Sequence, residues 1–93
     1  MNVAVRGHGD IKRIIGSERR RIELGRGARV RDLILKLGGK VGRSESVLLG
    51  VHKLVDSDLV VLVNGRNIRA LNGIDTVLKE GDLVTFMPVI VGG

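Results

Sequence analysis

Leu59-Val60-Val61-Leu62-Val63 is an unbroken apolar run that stops on Asn64-Gly65. The run is short and rich in β-branched residues, so it reads as a strand. Five consecutive apolar residues put hydrophobic side chains on both faces of that strand. The expectation is therefore a central strand buried on both sides. Asn-Gly readily supplies the two consecutive positive φ angles that a tight two-residue hairpin needs. The chain is expected to turn there and to return through Asn67 to Leu71 as a short strand. The core behind such a strand contains at most one aromatic ring, because Phe86 is the single aromatic residue. Val, Leu and Ile must do the packing. There is no cysteine, which rules out disulfides and thiolate metal sites.

The second constraint is helical. Val30, Leu33, Ile34 and Leu37 fall at i, i+3, i+4 and i+7, on one side of a helix. The spacing predicts a helix over Ala28 to Leu37, ended by Gly38-Gly39, with Lys36 suited to the negative end of its dipole. Val3 to Arg6 and Arg20 to Leu24 each alternate apolar and polar residues. They read as an N-terminal hairpin, with Ile22 and Leu24 on one face. Gly7-His8-Gly9-Asp10 supplies turn chemistry between them, and Ile11 to Ile15 lengthens the loop. Lys40 to Ser57 stays open between a second, shorter helix and an ordered loop. Its apolar residues keep helical spacing, but Gly50 interrupts them.

Asn72 to Leu78 reads as a turn followed by a single helical turn. Lys79-Glu80-Gly81-Asp82 is a tight turn, and Leu83 to Pro88 is the last strand. Alternation sets Phe86 facing inward and Met87 facing out. The 93 residues make one two-layer α+β domain. If the first and last strands pair at the sheet centre, the arrangement is a β-grasp, the ubiquitin-like fold. Its mixed sheet would have four to five strands packed against one main helix.

The chain is basic, with a net charge of +6 at pH 7 and its densest cationic run at Arg19-Arg20-Arg21, followed by Arg26, Arg29 and Arg31. Such a balance favours acidic partners or nucleic acid. The scarcity of aromatic residues leaves little to stack on bases, so nucleic acid is not expected as the partner. The arginines read first as a solvated face; an RNA-binding alternative would rely on phosphate contacts alone. His8 and His52 have no companions at ligand spacing, and no metal site is expected. A phosphate-binding Gly-x-x-x-x-Gly-Lys loop is also missing, and the chain is not expected to be an enzyme. No apolar stretch approaches the roughly 18 residues of a membrane span. Met1 to Arg6 lacks a secretory apolar region, so the expected location is the cytoplasm.

The chain stops on Gly92-Gly93, after a strand-like apolar run. Val61 to Gly65, Leu71 to Asp82 and Phe86 to Gly93 together resemble the MoaD/ThiS-like sulfur carriers. That family includes the small subunit of molybdopterin synthase and the ubiquitin-related modifiers. Its pattern is a Val-Asn-Gly-like hairpin, a Leu-x-x-Gly-Asp turn, an aromatic-x-Pro stretch and a terminal Gly-Gly. All four occur here in order. The likeness covers residues 59 to 93 well and the N-terminal half only in its order of elements. Two departures stand out. Pro88-Val89-Ile90-Val91 replaces the frequent Pro-Pro-Val, which loosens the link to the molybdopterin branch. The basic charge contrasts with better-known members that are often acidic.

The resemblance implies a single β-grasp domain over 1–93 with a flexible tail at 90–93. It implies that the Gly93 carboxylate, beside Gly92, is adenylated and then converted to a thiocarboxylate. Adenylation turns a poor electrophile into one with a good leaving group, and two residues without a Cβ suit a narrow channel. The chain itself would bind no cofactor. ATP and Mg²⁺ would belong to an E1-like adenylating enzyme of the MoeB/ThiF type. A molybdopterin-synthase large subunit or another acceptor would take the sulfur, toward molybdopterin, thiamine or thiolated tRNA. Leu71, Met87, Val89, Ile90 and Val91 are the implied partner-binding residues. A modifier conjugated to lysines through Gly93 is the nearest alternative, and a TGS-like RNA-binding module a more distant one.

Overall fold

A computed structural model describes residues 1–8, 19–40 and 59–88. The strands are β1 (Asn2–Gly7), β2 (Arg20–Glu23), β3 (Leu59–Val63), β4 (Arg66–Asn67) and β5 (Leu83–Pro88). The helix α1 spans Val30–Lys40, and two 3-10 turns, Ile68–Ala70 and Gly73–Asp75, lie between β4 and β5. All five strands join one sheet in the order β2-β1-β5-β3-β4. β1 and β5 pair in parallel, from Ala4 opposite Leu83 to Gly7 opposite Phe86. The other three pairings are antiparallel. The first and last strands thus meet in the middle of the sheet, and the fold is a β-grasp.

One face of the sheet carries the core. Val3 and Val5 of β1, Ile22 of β2, Val61 and Val63 of β3, and Val84 and Phe86 of β5 are all buried. Across from them α1 contributes Val30, Leu33, Ile34 and Leu37, the four residues whose spacing marked the helix. Phe86 is fully buried at the centre of this aliphatic layer. Burying such a ring is worth about 1.5–3 kcal/mol.

The helix starts two residues later than its periodicity suggested, because Ala28 and Arg29 are taken up in a short bridge to Val77. There Leu78 N–H donates to Ala28 O at 2.8 Å and Val30 N–H donates to Thr76 O at 3.0 Å. Asp32 closes the first turn: its Oδ2 accepts Arg29 N–H at 2.8 Å, while Arg29 O accepts Asp32 N–H at 2.9 Å. The carboxylate bond is the N3 half of a capping box; the second bond uses the backbone carbonyl of Arg29, whose side chain has no acceptor. The other end is also a correction. Gly38-Gly39 does not end the helix, which runs through both to Lys40. Glycine weakens a helix by about 1 kcal/mol relative to alanine, but it permits a left-handed stop without requiring one.

Two further expectations are corrected. β3 is neither central nor buried on both faces: β5 takes the centre, and β3 sits one strand from the β4 edge. Val61 and Val63 are buried, whereas Val60 and Leu62 are half-buried on the side away from α1. A single helix covers a single face. Nor does Asn67 to Leu71 continue as a strand. Asn67 Oδ1 accepts Arg69 N–H at 2.9 Å, and this cap turns the chain into the 3-10 turn Ile68–Ala70. The long first loop and the open question over the segment after Lys40 fall on 9–18 and 41–58, outside the described residues. Among the described residues no helix is long and apolar enough to cross a membrane.

Candidate functional site

β5 is the element on which the site depends, and its two ends are held differently. At its start the hairpin Asn64-Gly65 adopts φ values of 53° and 83°, as the sequence anticipated for a two-residue loop. Asn64 does more than turn. Its backbone N–H donates to Leu83 O at 2.8 Å, and its Oδ1 accepts Leu83 N–H at 2.9 Å. Its Nδ2 donates to Asp82 Oδ1 at 2.9 Å. The other carboxylate oxygen of Asp82 accepts Lys79 N–H at 2.8 Å and so closes the turn before β5. Gly81, at φ 83°, takes the third position of that turn, where a type II geometry favours glycine. Two sequence-distant turns therefore lock the first residue of β5. Local turn chemistry alone did not reveal this tie.

β5 is paired with β1 as far as Phe86, opposite Gly7, and with β3 as far as Pro88, opposite Leu59. His8 N–H, one residue beyond β1, donates to Phe86 O at 2.9 Å and extends that ladder. Five residues follow Pro88 in the sequence. Fully extended, they would span at most about 17 Å. Val89, Ile90, Val91, Gly92 and Gly93, five of the residues singled out from sequence, lie outside the described residues.

The face of the sheet away from α1 has its own composition. Register puts Leu83, Thr85 and Met87 of β5 there, with Val60 and Leu62 of β3 on one side. Ala4 and Arg6 of β1 lie on the other side, and Arg21 of β2 stands opposite Ala4. Apart from exposed Arg21, these side chains are half-buried, with no second layer over them among the described residues. Met87 is therefore on the outer face, as its alternation with Phe86 required. Leu71 is placed differently: it is half-buried and packs against the core cluster. Sequence reasoning did not single out Arg6, Val60 or Leu62 for this face. The signal was present in the apolar run 59–63, whose every second residue has no helix to cover it.

The described residues contain no group of His, Cys, Asp or Glu that could hold a metal ion. Nothing among them is arranged as a nucleophile with a base. What the arrangement offers is a rigid central strand leading toward Gly92-Gly93, with a half-apolar, half-cationic face beside it.

The ThiS family pattern matches residues 8–93. A protein from Archaeoglobus fulgidus assigned as a sulfur carrier is 31% identical over 64 residues, covering 69% of this chain and 73% of its own length. Subunit 1 of a molybdopterin converting factor assigned in Pyrococcus furiosus superposes with a TM-score of 0.64 at 29% identity, over 96% of this chain and 98% of that one. A chain from the BexX/CysO complex of Amycolatopsis orientalis gives a TM-score of 0.64 at 25% identity, over 98% and 99% of the two chains.

Proposed function

The chain belongs to the ThiS family, and from that premise we propose that it carries sulfur on its Gly93 carboxylate, charged by an E1-like adenylating enzyme of the MoeB/ThiF type. A carboxylate oxygen of Gly93 attacks the α-phosphorus of ATP, and pyrophosphate leaves. Sulfide then attacks the carbonyl carbon of the acyl-adenylate, and AMP leaves. The product is a thiocarboxylate, which gives up its sulfur to an acceptor. ATP and Mg²⁺ are the enzyme's; this chain contributes the carboxylate and the means of presenting it.

The observation that carries this reading is the family match itself, which runs from His8 to Gly93 and includes Gly92-Gly93. The fold supports it. β5 is paired on both sides as far as Phe86 and with β3 alone to Pro88, so the segment after it departs from a strand held in the sheet. Gly92 and Gly93 bring no Cβ into a closed channel and reach backbone angles other residues avoid. Docking falls to the outer sheet face, where Met87, Val60 and Leu62 offer half-buried apolar surface next to the end of that strand. Val89, Ile90 and Val91 complete the proposed contact, and Leu71, which packs against the core, would join it only from the side of that face. Methionine suits a surface that meets an enzyme and an acceptor in turn, because it repacks readily.

Incubation with MoeB/ThiF-type enzymes, MgATP and a sulfide source, followed by intact-mass measurement, tests the proposal. The expected product is heavier by one sulfur-for-oxygen exchange, localised to Gly93. A chain that stays unmodified with every such enzyme of its host would overturn it.

A further inference from the structure

We infer that the outer sheet face selects its partner by charge, with Arg6 and Arg21 receiving carboxylates on the surface of the adenylating enzyme. The inference rests on the carrier reading and adds to it the chemistry of the partner's surface.

Strand register brings the two arginines together. Arg21 stands opposite Ala4, and Arg6 is the next residue of β1 on the same face. That makes Arg6 and Arg21 diagonal neighbours, about 7–8 Å apart at the backbone. Like charges at this separation repel, and an anion placed between them relieves the repulsion. Neither guanidinium forms a hydrogen bond or an ion pair with any described residue. Two arginines by α1 do meet a carboxylate: Arg31 reaches Asp75 at 2.8 Å, and Arg29 approaches the same oxygen at 4.0 Å.

The pair is also continuous with the apolar surface. Thr85 is opposite Arg6 on one side and opposite Leu62 on the other. Arg6 and Leu62 therefore lie only two strand spacings apart, roughly 10 Å. A partner that spans β3 to β1 on this face covers Arg6 together with Leu62 and Met87. Burying an unpaired guanidinium is costly, so that partner must bring a carboxylate to it.

The same geometry favours a protein over a nucleic acid. A phosphate backbone gains nothing from Leu62 and Met87. Glu23, opposite Asn2, closes the arginine end of this face with negative charge, and Glu80 accepts Asn2 N–H at 3.1 Å nearby. A polyanion running along the arginines would meet both carboxylates.

The test is ATP–pyrophosphate exchange by purified MoeB/ThiF-type enzymes of the host, with this chain as the varied substrate. Arg6→Glu/Arg21→Glu is expected to raise KM about tenfold or more at unchanged kcat. The wild-type KM is expected to climb with salt, because the contacts are charged and peripheral. Arg6→Lys/Arg21→Lys, which keeps the charge, should stay near wild type. Arg21→Glu alone, at an exposed position, gives a second reading if the double variant folds poorly. A charge-reversed protein that is activated with a KM within about twofold of wild type overturns the inference and leaves the carrier reading standing. A wild-type chain that no enzyme activates removes both. Salt-sensitive binding of labelled tRNA that depends on Arg6 and Arg21, with KM untouched by their reversal, assigns the pair to nucleic acid and also overturns it.

Discussion

Asn64 and Asp82 are joined side chain to side chain: the amide Nδ2 donates to the carboxylate Oδ1 at 2.9 Å, across a separation of 18 positions. Each is a turn residue in its own right. The bond between them makes the β3–β4 hairpin and the turn before β5 one unit, and Leu83 is held by both.

This unit sets a first prediction. Asn64→Gly keeps a residue at ease with φ 53° but deletes both side-chain hydrogen bonds. It should cost about 1–2 kcal/mol in urea denaturation. Asn64→Ala loses the same bonds and adds a left-handed backbone penalty of roughly another 1 kcal/mol. Asp82→Ala should resemble Asn64→Gly, and the double variant should cost less than the sum, since the partners share a bond. Equal stability of Asn64→Gly and wild type would show that the bond adds nothing.

Adjacent residues of β5 should respond in opposite ways. Phe86 is fully buried, so Phe86→Ala should destabilise the fold by about 3–5 kcal/mol. Met87 is on the outer face, and Met87→Asp should leave the denaturation midpoint within about 1 kcal/mol of wild type. Its defect should appear instead as a raised KM in pyrophosphate exchange. A strongly destabilised Met87→Asp protein would place this residue in the structural core of the sheet.

The helix cap can be tested alone. Asp32 accepts Arg29 N–H from an exposed position, so Asp32→Ala should cost about 1 kcal/mol. Asp32→Asn keeps an acceptor and should recover part of it. The Arg31–Asp75 pair is half-exposed, and Arg31→Ala should change stability by less than about 1 kcal/mol. Thermal denaturation of the three variants side by side would expose any reversal of that order.

The carboxyl end gives the sharpest functional expectation. Deleting Gly92-Gly93 should abolish adenylation while leaving the denaturation curve unchanged. Gly93→Ala should slow transfer without preventing folding. Pyrophosphate exchange by the shortened chain at the wild-type rate would mean that the reacting carboxylate is elsewhere.

Much of the architecture was legible because local chemistry and tertiary structure agreed. The Asn64-Gly65 hairpin, the α1 quartet Val30, Leu33, Ile34 and Leu37, and the inward set of Phe86 each followed from a period or a pair of residues. The misread elements have a common cause: a local pattern whose meaning depended on what packs against it. Val60 and Leu62 looked like buried residues because apolarity does not distinguish the face under the helix from the face without one. Asn67 opened what looked like a strand, and its side chain diverted the backbone instead. Gly38-Gly39 looked like a stop, but glycine merely permits one. For the site, the residue types of the tail and the outward set of Met87 were readable from the chain alone. Arg6 was not, since only the pairing of β1 with β5 brings it next to the apolar strip.

The parallel ladder between β1 and β5 joins Ala4 to Leu83, nearly the whole length of the chain. Closing so large a loop makes the docking of β5 a late folding event. Once made, that docking is unusually hard to undo in part. A terminal strand at a sheet edge frays by itself, but this one is zipped along both borders, and releasing it splits the sheet in two. Amide exchange along β5 should therefore report the opening of the entire molecule, with the end of the strand as steady as the core.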